Sequence, residues 1–322
     1  MKYYYFKRIL LSVLIIWGVL TLTFFLIRVA PGDPSLIYID PGIEPNIVNQ
    51  IRHQMGLDQP LYIQYFKWLK QFLTGNFGMS FMHKRPVSQV LAEAIPNTLQ
   101  LTVAVFMIQI IIGIIVGIYS ALSRYTKKDS FISSFSIFLY SIPGFWLALM
   151  LILIFSLKLG WLPSSHMQSM DIGNGFWEVF ADRIEHLILP VIVLGLPLSA
   201  HTSRFVRGSF IDVFTQDYIR AAYAYGLNKR KIWLKYALKN ALLPIITLIG
   251  MYLPFLLGGA VITEYIFSWP GMGRITVEAI FAYDYPIILA STAIAAVAVV
   301  IGNLLSDILY RVIDPRIRNS NT

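Results

Sequence analysis

Residues 215–244 read TQDYIRAAYAYGLNKRKIWLKYALKNALLP, a charged, helix-forming insert in a chain that is otherwise strongly apolar. From Asp217 to Tyr225 the residues favour helix, and Gly226 stands where a left-handed residue ends a helix without steric cost. Asn228 is a natural N-cap for a second helix through Lys229, Ile232, Lys235 and Lys239, ending near Pro244. The stretch therefore predicts helix, tight turn, helix. Ile219, Ala222, Tyr223 and Leu227 share one side of the first helix, and the paired Ala221 and Ala222 leave it thin enough for another surface to approach closely. A thin charged knob between membrane spans is built to be held.

Its surroundings are those of a bilayer protein. Of 322 residues, 57% are hydrophobic and 13% charged, against about 25% charged in soluble domains; the mean hydropathy is +0.65. Apolar runs of about 20 residues suffice to cross a hydrocarbon core of ~30 Å. They predict an all-α polytopic protein with six transmembrane helices, at about 9–28, 98–122, 131–157, 187–203, 241–263 and 286–306. The first run follows a basic start, MKYYYFKR, but is too long for the core of a secretion signal and has no A-x-A site after it, so it is expected to be a retained span.

With the N-terminus in the cytoplasm, Lys and Arg number three in 1–8, three in 123–130, eight in 204–240 and three in 307–322, leaving nine of the 26 elsewhere. Basic residues concentrate on the cytoplasmic side of membrane proteins. Both termini and the 215–244 stretch are therefore expected in the cytoplasm, and the net charge of +9 reads as topology and attraction to anionic lipid. A nucleic-acid partner is not expected, because no base-stacking platform lies outside the spans.

Along the chain, APGDP (30–34) ends the first span, and Leu61, Tyr62, Tyr65, Phe66, Leu69 and Phe72 form the apolar face of an amphipathic helix lying on the membrane surface or against other spans. PNTLQL (96–101) opens the second span, where Gly113 and Gly117 form a small-xxx-small pair suited to close helix approach. SIPGFW (141–146) carries Pro143 and Gly144, which should kink or open the third span, either lining a pathway or accommodating packing. Glu264 faces a translocation path or pairs with Arg274; Gly258 and Gly259 leave space nearby. Asn303, Asp307 and Arg311 share one face of the last span, Asn303 as a candidate path residue and the other two as an ion pair or a proton relay.

Catalytic motifs are missing. There is no cysteine, no G-x-x-x-x-G-K-[ST] phosphate cradle, no H-E-x-x-H and no G-x-S-x-G. His53, His83, His166, His186 and His201 share no metal-ligand spacing. No enzymatic activity, catalytic residue, metal site or resident cofactor is expected.

Ala221-Ala222, then Gly226, then Leu243-Pro244 resemble the EAA loop of binding-protein-dependent ABC importers. Arg220 in place of the general glutamate, and the long gap from Gly226 to Pro244, resemble the peptide/nickel (dipeptide/oligopeptide) permease branch, as do GLDQPLYIQYFKWLKQFLTGNFGMS (56–80) and the closing YRVIDPRIR. The resemblance implies a type I ABC importer permease fold. Residues 1–95 would hold the first transmembrane helix and an external amphipathic region. Residues 96–322 would form a five-helix core carrying the coupling loop at about 204–244, with Ala221, Ala222 and Gly226 at the joint and Asp217 and Arg220 at its polar edge.

The implied partners are a homologous second permease in a heterodimer, two ABC ATPase subunits binding ATP and Mg, and an extracytoplasmic substrate-binding protein. The implied site of action is a bacterial or archaeal inner membrane, and the cargo a peptide or a related small solute such as a nickel chelate. A gradient-driven secondary transporter and a non-transporting receptor subunit are the alternatives. The first would need charges near mid-membrane, and copurification with an ATPase would exclude the second.

Overall fold

The computed structural model describes residues 2–29, 53, 58–173, 175–241, 252 and 260–313. In chain order the helices are α1 (Lys2–Val29), α2 (Leu61–Leu73), α3 (Val87–Leu122), α4 (Lys127–Ser141), α5 (Gly144–Leu151), α6 (Phe176–Phe214), α7 (Asp217–Ala224), α8 (Lys229–Lys231), α9 (Leu238–Ala241), α10 (Val261–Ile266), α11 (Met272–Phe281) and α12 (Tyr285–Ile313). Wider π-type turns, Ile152–Lys158 and Ile232–Ala237, prolong α5 and join α8 to α9. Among the described residues the extended pairing is a single bridge, Met79 with Pro86. The protein is all-α.

Three helices among the described residues are long and apolar enough to cross a membrane, Leu10–Val29, Val87–Leu122 and Tyr285–Ser306, and α4 with α5 makes a fourth if taken as one bent span. They match the first, second, sixth and third expected spans. The second helix begins at Val87, well before the expected 98, and continues through Pro96. The expected 187–203 span lies inside the longer α6, which runs through Pro190 and Pro197. Most of the expected fifth span, together with APGDP, Leu243, Pro244, Gly258, Gly259 and the chain after Ile313, lies outside the described residues.

Contacts divide the chain into two units, residues 1–98 with 270–300 and residues 99–269 with 301–322. In the first, the amphipathic α2 packs through Tyr65, which donates or accepts a 2.7 Å hydrogen bond with Thr21 of α1. Phe24 of α1 stacks on Trp68 and meets Tyr65 edge-on, and Leu289 of α12 completes this buried group. Tyr62 and Phe66 stay exposed. A second core gathers Val87, Val90 and Leu91 of α3 with Met272, Ala279 and Ile287. The fully buried Asp284 accepts Ser80 Oγ at 2.6 Å and the Met82 amide at 3.0 Å. It thereby fastens the 79–86 turn to the start of α12. Asn97 donates to the Pro270 carbonyl at 2.9 Å, and Thr98 Oγ1 accepts the Met272 amide at 2.8 Å.

The second unit is organised by a backbone-close crossing of α3 and α6. A Cβ added at Gly113 would sit 2.6 Å from Thr202 Cβ, and one at Gly117 would sit 2.6 Å from the Ser203 carbonyl oxygen and from Val206 Cβ. Nothing larger than glycine fits at this separation. Gln109 of α3, itself buried, donates to Thr202 Oγ1 at 3.2 Å.

Candidate coupling site

The site begins where α6 runs past the last apolar turns and hands over to α7 through Thr215 and Gln216. The two ends of the turn that follows are chemically specified. The Gly226 amide donates to the Tyr223 carbonyl at 3.0 Å and the Leu227 amide to the Ala222 carbonyl at 3.2 Å, the paired bonds of a Schellman ending, with Gly226 at φ +71°. Asn228 Oδ1 then accepts the Arg230 amide at 2.9 Å, capping α8.

Side chains lock the two arms together. Asn240 Nδ2 donates to Tyr218 OH at 2.8 Å and Trp233 Nε1 to Tyr223 OH at 3.2 Å. Ser209 Oγ of α6 donates to the Ala241 carbonyl at 2.9 Å. Beneath, Ile219 and Ala222 join Ala121, Val206, Phe210, Ile232, Ala237 and Ala241 in one buried cluster. The hairpin is a built lever rather than a loose loop.

Its two faces are distinct. Ala222 is 6% exposed and Ile219 1%, so the alanine pair is divided, Ala222 facing the chain's own core and Ala221 the outside. The physical reason is the α-helical spacing of Ile219 and Ala222, three residues apart on one face. Asp217, Tyr218, Arg220, Ala221, Ala224, Tyr225 and Gly226 form the exposed surface. Arg220 and Asp217 lie 3.4 Å apart across one turn, both highly exposed, an interaction of little energetic weight. Lys229, Arg230, Lys231 and Lys235 are exposed beside them.

Behind the hairpin an ion pair that the sequence reading did not single out anchors the first turn of α4. Asp129, in the 123–130 connection, accepts Arg207 Nε and Nη2, each at 2.7 Å, as well as Ser120 Oγ at 2.6 Å. The Arg207 guanidinium holds the Asp129 carboxyl well below the usual carboxylate range. Asp129 as a lone acid in a basic connection, with Arg207 close beyond an apolar span, was the available signal.

The other expected residues are dispersed. Pro143 and Gly144 mark a 96° bend between α4 and α5, with Ile142 and Pro143 extended and Ser141, Pro143, Phe145 and Trp146 exposed. Glu264 is fully buried in α10, so it does not front an open path within this chain, and Arg274 pairs with Glu278 at 2.6 Å. Asn303 is exposed, while the side chains of Asp307 and Arg311 lie outside the described residues. His201 Nδ1 shares a 2.8 Å hydrogen bond with Tyr252 OH. Among the described residues no group of His, Asp or Glu side chains is placed to hold a metal ion.

The family described as binding-protein-dependent transport system inner membrane component matches residues 109–319, and the family described as the N-terminal part of such membrane components matches residues 1–102. The chain belongs to this family. The permease is 42% identical over 318 residues to the oligopeptide transport system permease protein AppB of Bacillus subtilis, covering 98% of this chain and 99% of that one. It is 36% identical over 315 residues to the glutathione transport system permease protein GsiC of Escherichia coli K12, covering 98% of each. Such full-length likeness places the permease in the peptide/nickel branch of ABC importers. An inward-facing structure of the MetNI methionine ABC transporter aligns at a TM-score of 0.57 with 17% identity, over 70% of this chain and 97% of that one. It establishes the ABC importer permease fold. As a member of this family the permease is an inner membrane component of a transport system.

Proposed function

We propose that the permease forms half of the translocation path of an ATP-driven importer for peptides or peptide-like solutes such as glutathione, and that the α7–α8 hairpin is its coupling element. The observation carrying this reading is the hairpin itself, rigidly seated by Ile219 and Ala222 and presenting an exposed outer face around Ala221. Of two ABC ATPase subunits, which bind ATP and Mg, one docks on that face. A homologous second permease completes the path in a heterodimer, and an extracytoplasmic binding protein delivers the cargo. With six spans both termini lie on one side, and the concentration of Lys and Arg in the segments on that side makes it the cytoplasm.

The chemistry left to this chain is mechanical. Closure of the ATPase pair displaces α7, and because α7 is bonded to Trp233 of the π-type turn and to Asn240 of α9 and packed on α6, the displacement passes into the spans. Coupling requires that the held face make different contacts in the two states of the transporter. Asp217 and Arg220 border the contact and Gly226 shapes it. The names of the oligopeptide and glutathione permeases support the cargo class. The test is affinity purification through this chain, with ATP hydrolysis and uptake of labelled oligopeptides and glutathione measured together. A P-loop ATPase should accompany the native permease, and Ala221→Trp should release it while the permease stays in the membrane. Peptide uptake unaffected by ATP depletion would sink the reading.

A further inference from the structure

Between α3, α4 and α6 the second unit contains an apolar cleft of about 410 Å³, lined among others by Ile115, Tyr119, Phe135, Ser136, Ala200 and Ser203. A smaller hollow of about 340 Å³, formed by Tyr119, Lys127, Lys128, Phe131 and Ile132, shares Tyr119 and Ile132 with it. The two adjoin at these residues, both are lined almost wholly by apolar surface, and Lys127 and Lys128 border the second through their side-chain stems.

The framework explains why the space persists. Glycines 113 and 117 bring α3 against α6, while Asp129, held by Ser120 of α3 and Arg207 of α6, fixes the start of α4. Between these fastenings α4 packs against α6, and the cleft lies among the three helices. Lys127 and Lys128 are exposed, and among the described residues neither forms an ion pair. Asp129, the carboxylate beside them, is fully taken up by Arg207, Ser120 and the Tyr125 amide. Two unneutralised cations at the mouth of an apolar cleft complement one kind of membrane molecule, a chain with a negative head.

We propose that this cleft is a binding site for an anionic phospholipid, one acyl chain lying between Ile115 and Phe135 and the phosphate meeting Lys127 and Lys128. The site goes beyond the import function and does not depend on it. A bound lipid would fill the space among α3, α4 and α6.

The test is native mass spectrometry of the full transporter purified through this chain, after incubation with dioleoyl-phosphatidylglycerol or dioleoyl-phosphatidylcholine. One phosphatidylglycerol should be retained at collision energies that strip phosphatidylcholine. The double substitution Lys127→Gln, Lys128→Gln, on exposed residues that do not endanger folding, should weaken retention about thirty-fold, the equivalent of about 1 kcal/mol per lysine near a lipid surface. Ala200→Leu, which fills the cleft, should lower retention of both lipids. Equal retention of the two lipids by the native protein, or unchanged retention in the lysine variant, would overturn the proposal. So would a disulfide between Ile115→Cys and a cysteine of the second permease, since a partner helix would then occupy the cleft.

Discussion

Two of the places where the described chain leaves helical geometry are built in opposite ways. At Gly226 the turn is specified by three amide bonds, a side-chain cap and two tyrosine hydrogen bonds, over a buried cluster. At Pro143 the chain bends by 96° with exposed side chains on both flanks and no side-chain cap on the helix that follows. A force applied to the first must travel through it, because every soft torsion there is tied down. The second is held only through its flanks, α4 packing on α6 and α5 burying Ala148 against Leu189 and Val193, while the bend residues themselves stay exposed. The lever and the bend are thus built differently, one tied at the turn by hydrogen bonds and one held through the packing of its flanks.

The strongest way to break this contrast is Gly226→Pro. Proline fixes φ near −65°, incompatible with +71°, and removes the amide that bonds to Tyr223. Uptake should fall to background and the ATPase should no longer copurify, while membrane insertion, read by fractionation, is unchanged. Gly226→Ala should do far less. A Cβ there meets nothing within 4 Å, leaving only a left-handed strain of about 1 kcal/mol.

Next in size is the clamp behind the lever. Arg207→Gln leaves a buried Asp129 carboxylate without its cation, at a cost of about 3 kcal/mol, the low end for orphaned buried charges. Because the folded Asp129 carboxyl lies below its ordinary value, the native contribution is complete above the unfolded value of about 4 and fades as the pH falls below it. Thermal unfolding in detergent should show a lower midpoint for the variant at pH 7. The gap between variant and native protein should narrow as the pH drops below about 4.

The lever was legible in the sequence and its facing was not. Gly226 and Asn228 announce a turn by their own conformational preferences, and the structure has both in those roles. The side on which a short helix is buried depends on what lies beneath it, and Ile219 alone does not reveal that Val206 and Phe210 of α6 supply the floor. The glycines of α3 were legible for the same reason as Gly226, since a small-xxx-small pair has few uses in a membrane helix. Pro143 signalled a break, but the 96° angle follows from tertiary placement. Asp129 with Arg207 escaped attention because 78 residues separate them, and only the α4–α6 packing brings them together.

A matched pair sharpens the facing of the lever. Ala222→Trp forces a large ring into the buried cluster, an overpacking of about 3 kcal/mol, and should lower the unfolding midpoint together with uptake. Ala221→Trp, one residue away on the exposed face, should leave the midpoint within experimental error and still abolish ATPase retention. If both variants are equally unstable, α7 is not seated as described.

The smallest expected effects belong to the bend. Gly144 has an ordinary φ, and a Cβ there meets nothing within 4 Å, so Gly144→Ala should change stability by no more than about 0.5 kcal/mol and leave uptake intact. Pro143→Ala is the informative partner. Removing the ring frees Ile142 from its bias towards extended backbone and restores an amide donor, which permits α4 and α5 to straighten towards one another. The chain has no cysteine, so spin labels placed at the exposed Phe138 and Leu149 report the angle without background. The label-to-label distance should lengthen or broaden in Pro143→Ala and stay fixed in Gly144→Ala. Because the lever does not depend on this angle, ATPase copurification should be the same in both, and a loss of the ATPase in Pro143→Ala alone would mean that bend and lever move as one part.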